Sequence, residues 1–130
     1  MIVDTSAIVA IVRSEPEAKR FVEAIVGCRD VVISAGNYLE TAIVIDKDRD
    51  PALSARVEPT LNMLGVEIAP VTAAQARIAR QAYRDFGKGS GHPARLNFGD
   101  CFAYALAMER GEPLLFKGED FVHAGVARAG

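Results

Sequence analysis

MIVDTSAIVAIV, residues Met1 to Val12, sets a single aspartate between two apolar runs. Ile2 and Val3 read as a short buried strand, and Ser6 to Val12 as a short apolar helix that Arg13-Ser14-Glu15-Pro16 stops. The same alternation continues along the chain. From Pro16 to Val26 the apolar residues Ala18, Phe21, Val22, Ile25 and Val26 recur at helical spacing, and DVVIS from Asp30 reads as a second strand. Asn37 to about Lys47 reads as a helix, as does Ala52 to Leu64, ended by Gly65. GVEIAPV supplies a third strand. Thr72 caps a long amphipathic helix running to about Phe86, a glycine-rich loop follows, and Asp100 to Arg110 is an apolar helix before a fourth strand, EPLLF. Strands separated by helices imply a parallel sheet covered on both faces through right-handed crossovers. The expected class is α/β, with three layers.

Composition bounds the rest. A chain of 130 residues, half of them apolar and a quarter charged, is expected to fold as one domain over 1–130, and it carries no repeat or low-complexity tract. No stretch nears the roughly 20 apolar residues of a membrane span, and the N-terminus lacks the basic flank of a secretory signal. The expectation is a cytoplasmic protein without membrane contact. Cys28 and Cys101, far apart and each beside apolar residues, suit free thiols in a reducing compartment. A net charge of −2 argues against indiscriminate coating of nucleic acid but permits a local basic patch.

Open parallel sheets gather ligands at the carboxyl ends of their strands. Asp4 follows the first strand directly, and Asp120 follows the fourth after Lys117-Gly118-Glu119. Glu40 lies one turn into the helix after the second strand, and Asp100 opens the helix DCFAYALAMERG. Each has a purely structural alternative. Asp4 can be a turn residue or a cap for a helix starting at Ser6, Asp100 an N-cap, and Glu40 the partner of Asn37 in a capping box; Asp120 can be a plain turn acid. Two of these acids nevertheless sit in apolar text, where an ionised carboxylate is costly unless neutralised. Lysine and arginine are absent from Ile2 to Val12 and from Leu96 to Met108, so an imported divalent cation is the expected partner. Hard cations such as Mg²⁺ or Mn²⁺ take oxygen ligands and activate water against phosphate esters, which points to phosphodiester hydrolysis. Ser6 reads as a helix cap, with a hydrogen bond to a ligating carboxylate as its other role.

Arg84, Lys88, His92, Arg95 and Lys117 cluster in sequence near the third and fourth acids and are candidates for backbone phosphate contacts, against the alternative of a solvated loop. FGKGSG lacks the Walker spacing and follows a helix, so it is no nucleotide-binding loop. His92 and His123 are too isolated for a zinc site. Tyr38, Tyr83, Phe86, Phe98, Phe102 and Tyr104 read mainly as core. A dehalogenase-type phosphatase wants a second acid where Ser6 stands, and a receiver module wants an acidic pair near the first strand; neither pattern is met.

MIVDTSAIVAI, NYLETAIVI, LNFGDCFAYALA and PLLFKGEDF, in that order, resemble the PIN-domain ribonucleases, and more narrowly the VapC toxins of bacterial type II toxin-antitoxin pairs. The resemblance covers nearly the whole chain. It implies a PIN-like sandwich with a short parallel sheet of about four to five strands, and a Mg²⁺- or Mn²⁺-dependent endoribonuclease. The partners it implies are an RNA substrate, a VapB-type antitoxin and a second copy in a homodimer. Carried over by position, the catalytic and metal-binding acids are Asp4, Glu40, Asp100 and Asp120, with Glu119 as the substitute for the last because Phe116-Lys117-Gly118 replaces the family's Thr-x-Asp pattern. Lys88, Arg95 and Lys117 are the RNA-contact candidates. The alternative is a noncatalytic PIN-fold module that binds RNA or antitoxin without cutting.

Overall fold

The computed structural model describes residues 1–130. Four short strands, β1 (Ile2–Val3), β2 (Val31–Ser34), β3 (Val66–Ala69) and β4 (Leu114–Leu115), form one parallel sheet in the order β3-β2-β1-β4. Seven helices connect them: α1 (Thr5–Val12), α2 (Ala18–Val26), α3 (Ala35–Asp46), α4 (Pro51–Ser54), α5 (Val57–Met63), α6 (Ala73–Phe86) and α7 (Phe98–Arg110). No helix is long and apolar enough to cross a membrane.

The two-residue side-chain period of a strand splits the core in two. Val3, Val31, Ile33 and Leu115 point to one face, where they meet Ile8, Val12, Phe21, Ile25, Ile45 and Leu61 from α1, α2, α3 and α5. Ile2, Val32 and Leu114 point to the other, against Ala82 of α6 and Ala103, Leu106 and Ala107 of α7. Both faces are therefore apolar along β1, β4 and most of β2, as a doubly covered parallel sheet requires, whereas the edge strand β3 exposes Glu67 and Ile68. Cys101 is buried and Cys28 partly so, both as free thiols.

Several element boundaries move from their sequence-based positions. The helix expected over Ala52–Leu64 is two short helices, because Asp50 caps the first turn at Pro51 and the chain turns again at Ala55-Arg56 before α5. The helix expected from Pro16 begins at Ala18. The first helix starts at Thr5, with Asp4 as its N-cap, so Ser6 is not the cap: its backbone N–H donates to Asp4 Oδ2 at 3.0 Å. The Asn37–Glu40 capping box does not form, since Ser34, the last residue of β2, already caps α3 through a bond from the Gly36 N–H. Nor is Asp100 an N-cap. Asn97 caps α7, and Asp100 completes a reciprocal capping box with it.

Building outward from β1, the chain adds β2 and β3 on one side and returns to place β4 on the other. The connections diverge between β1 and β4, and a crevice opens at their carboxyl ends. Asp4 leaves β1 there, its N–H bonded to the Leu115 carbonyl of β4 at 2.9 Å.

Candidate active site

That crevice is lined by Asp4, Thr5, Ser6, Glu40, Asn97, Asp100, Lys117 and Asp120 among others, and encloses about 240 Å³. The topology thus brings the four acids Asp4, Glu40, Asp100 and Asp120 to one opening. Glu119, exposed on the preceding turn position, does not line it. Gly118, at φ +96, lies on the side of backbone space that favours glycine, and this turn carries the chain from Lys117 to Asp120.

Asp4 is 3 % exposed. Its Oδ2 accepts from the Ser6 hydroxyl at 2.6 Å as well as from the Ser6 N–H. Ser6 Oγ in turn accepts from the Lys117 N–H at 2.9 Å, which ties the first acid to the segment carrying the fourth. Asp4 Oδ1 is buried with no hydrogen-bond partner. Burial, with the Glu40 charge as a smaller contribution, raises the Asp4 carboxyl to about 6 despite the Ser6 bonds that lower it. Asp100 is raised further, to about 8, first by burial and then by the charges of Asp4, Asp120 and Glu40, against the lowering bond from the Asn97 backbone. Glu40 is held by the Thr5 hydroxyl, which donates to its Oε1 at 2.5 Å, and by the Asn37 amide.

As these side chains lie, no three of them stand at metal-holding spacing. Sharing one cleft is a looser condition than mutual ligand distance, and two of the four carboxylates are drawn aside, Glu40 toward Thr5 and Asp100 toward its capping box. The donor chemistry nevertheless fits a hard dication. All the donors are oxygens, one buried carboxylate oxygen is unpartnered, and two of the acids, Asp4 and Asp100, are raised by burial and by neighbouring acids. Mg²⁺ keeps several waters and is held by one or two protein carboxylates, so a wide acidic rim suffices. The one cation in the lining, Lys117, does not neutralise these acids. Its ammonium is committed to Glu15 at 2.9 Å and Glu17 at 3.3 Å on the outer side.

Lys88 and Arg95 lie outside the cleft lining. They flank a loop closed by bonds from the Lys88 N–H to the Leu96 carbonyl and from the Leu96 N–H to the Phe86 carbonyl, and both are exposed with no ion pair. Sequence reasoning missed Arg77 and Arg80, which with Arg84 expose one face of α6 at helical spacing. It also missed Thr5, although an Asp-Thr-Ser triplet at a strand end was a signal. Phe98 is a correction: it is 79 % exposed rather than part of the core, because it occupies the first turn of α7 on the side away from the sheet. Together with Phe102 it borders two apolar cavities, of about 430 and 410 Å³.

The family model that matches, described as PIN domain, covers residues 1–127. Ribonuclease VapC28 of Mycobacterium tuberculosis is 54 % identical over 129 residues, 99 % of this chain and 97 % of the relative. Ribonuclease VapC42 of the same species is 50 % identical over 99 % of this chain and 98 % of its own length. Among solved structures, M. tuberculosis VapC20, titled a sarcin-ricin loop cleaving toxin, superposes with a TM-score of 0.75 at 18 % identity, over 97 % of this chain and 95 % of the other. VapBC2 from Rickettsia felis, bound to a DNA fragment from their promoter, gives 0.74 at 13 % identity over 98 % and 94 %. At such identities the two structures speak for the fold.

Proposed function

The chain belongs to the PIN-domain family, and from that premise we propose that it is a VapC-type endoribonuclease, the toxin of a type II toxin-antitoxin pair, working in the cytoplasm as one PIN domain over 1–130. The observation that carries the reading is the buried, unpartnered Oδ1 of Asp4 at the mouth of a cleft shared with three further acids. Asp4 and Asp100 would hold Mg²⁺ or Mn²⁺, with Glu40 and Asp120 completing the rim. When bound, the dication polarises the scissile phosphate and lowers the pKa of water near it. Ser6 holds Asp4 through Oδ2 alone and leaves Oδ1 free for that role. Glu40, braced by Thr5, orients the attacking water and takes its proton; the water oxygen bonds to phosphorus as the bond to the sugar oxygen on the opposite side breaks, and the departing oxygen takes a proton from solvent. Exposed Lys88, Arg95 and the arginines of α6 steer the RNA backbone. Lys117, anchored by Glu15 and Glu17, holds the loop that presents Asp120.

Incubation of the purified protein with single-stranded RNA and Mg²⁺ is expected to give fragments on a denaturing gel, and EDTA to prevent them. Cleavage that ignores EDTA removes the metal from the reading, and binding without scission supports the noncatalytic module instead.

One partner follows from the apolar surface. Phe98, Leu39 and Ile43 are 79, 58 and 51 % exposed and gather with Phe102 on the α3 and α7 face, where a lone protein leaves water against large side chains. We assign this face to the contact with a second copy; the VapB-type antitoxin follows from the likeness to the VapC toxins. Light scattering at micromolar concentration should give twice the mass of one chain, and Phe98→Asp should halve it. A monomeric parent protein contradicts the assignment.

A further inference from the structure

Asn37 is fully buried at the meeting point of the three segments that carry the inward acids. Its Nδ2 lies 2.9 Å from the carbonyl of Gly99, the residue before Asp100, and 3.3 Å from Oε1 of Glu40 on its own helix. It also lies 3.3 Å from the Oγ1 of Thr5, the residue after Asp4. The Thr5 hydroxyl passes the contact on by donating to the same Glu40 oxygen. Three acceptors around one amide nitrogen fix the orientation of the carboxamide, because the reverse orientation would set its carbonyl oxygen against the Gly99 carbonyl and the Glu40 carboxylate. Gly99 completes the enclosure. A Cβ at that position would overlap the Glu40 carboxylate, which rests on the bare glycine backbone.

None of these bonds serves a helix end, since Ser34 caps α3 and Asn97 caps α7. Each one instead terminates on an acid or on the residue next to one. We propose that Asn37 and Thr5 form a positioning unit that registers Glu40 against Asp4 and Asp100 and thereby sets the affinity of the site for its dication. The inference rests on the metal-dependent reading above and adds two residues that act through the acids they hold.

The unit is tested by Mn²⁺ binding in the absence of RNA, read from the electron paramagnetic resonance signal of free Mn²⁺, beside single-turnover cleavage and thermal unfolding in EDTA. Thr5→Val keeps the shape and removes the hydroxyl; it should weaken Mn²⁺ binding about tenfold, in the range found when a partner of a metal ligand is lost, and lower kcat with KM for RNA unmoved. Thr5→Ser should restore both. Asn37→Asp, equal in size but lacking the donor, should lose more than Thr5→Val. If Asn37→Asp fails to fold, the two Thr5 variants decide the matter. Wild-type Mn²⁺ affinity and kcat in folded Thr5→Val, alongside an inactive Asp100→Asn, overturns the positioning unit alone; normal cleavage by Asp100→Asn removes Asp100 from the metal site and the unit with it, and a parent protein that leaves RNA uncut in Mg²⁺ overturns the ribonuclease reading.

Discussion

Asp100→Asn is expected to lower RNA cleavage by about a thousandfold or more while leaving the fold intact. A dication at a phosphoryl centre supplies several kcal/mol of charge stabilisation, and each 1.36 kcal/mol corresponds to about a factor of ten in rate. Asp100 is the acid whose loss should matter most. It is 8 % exposed, it faces the charges of Asp4, Glu40 and Asp120, and its carboxyl is raised further than that of Asp4. The substitution is also gentle on the backbone. Asp100 Oδ2 accepts from the Asn97 N–H at 3.0 Å, and an asparagine oxygen can accept the same bond, so the cap of α7 survives. Single-turnover cleavage of a labelled RNA, beside circular dichroism of the variant, makes the comparison. Mg²⁺-dependent cleavage persisting in a folded Asp100→Asn protein would remove Asp100 from the metal site.

A second large effect should appear with no substrate present. In EDTA, the thermal midpoint is expected to fall as pH rises from 5 to 8, and Mg²⁺ should reverse the fall at pH 8 but act little at pH 5. Unfolded aspartate titrates near 3.9, whereas Asp4 and Asp100 in the folded protein titrate at about 6 and about 8. Between the unfolded and folded values the native state binds more protons, so unfolding becomes easier as pH increases. The stabilisation is whole below the unfolded pKa and is lost as pH passes through the folded values, ending near 6 for Asp4 and near 8 for Asp100. Of the roughly two units by which Asp4 is raised, about one falls between pH 5 and 6, so Asp4 alone accounts for roughly 1 kcal/mol in this window, on the order of 5 °C for a domain of this size, and Asp100 carries the fall on toward pH 8. Other shifted groups fall outside the window. Glu17 is lowered, chiefly by a backbone hydrogen bond, and acts only in acid; Lys117 is raised by its hydrogen bonds to Glu15 and Glu17, and Cys101 by burial to about 11, and both act in alkali. A dication that binds only the ionised, folded site stabilises by mass action, about 2.7 kcal/mol at a hundred times its Kd. A midpoint that is flat or rising between pH 5 and 8 in EDTA contradicts this account, and Asp4→Asn with Asp100→Asn should flatten the curve.

Lys117 divides its bonding between backbone and side chain. The backbone position still serves the site, because its N–H bonds Ser6 Oγ and reaches Asp4 through that hydroxyl. The side chain does something separate, pairing with Glu15 and Glu17 beyond α1. Partly exposed ion pairs of this kind contribute little stability, commonly below about 1 kcal/mol, so the value of the lysine lies in where it holds the loop before Asp120.

Period and punctuation in the sequence determined the order of strands and helices, the two-faced burial of the sheet, and the placement of Asp4 and Asp100 in apolar surroundings without a cation, because these depend on neighbours a few residues apart. Local chemistry alone did not separate the two stretches in which asparagine precedes an acid by three residues, Asn37 with Glu40 and Asn97 with Asp100. Both match a capping box, and only the second forms one. Asn37 lies within α3, since β2 runs into that helix at Ser34 without a loop, and its amide goes to Thr5 and Gly99, 32 and 62 residues away along the chain. Only packing α1, α3 and α7 against one another decided that this side chain brackets an acid instead of ending a helix, since an amide bonds to whatever acceptor the fold brings to it and sequence spacing records none of those distant ones.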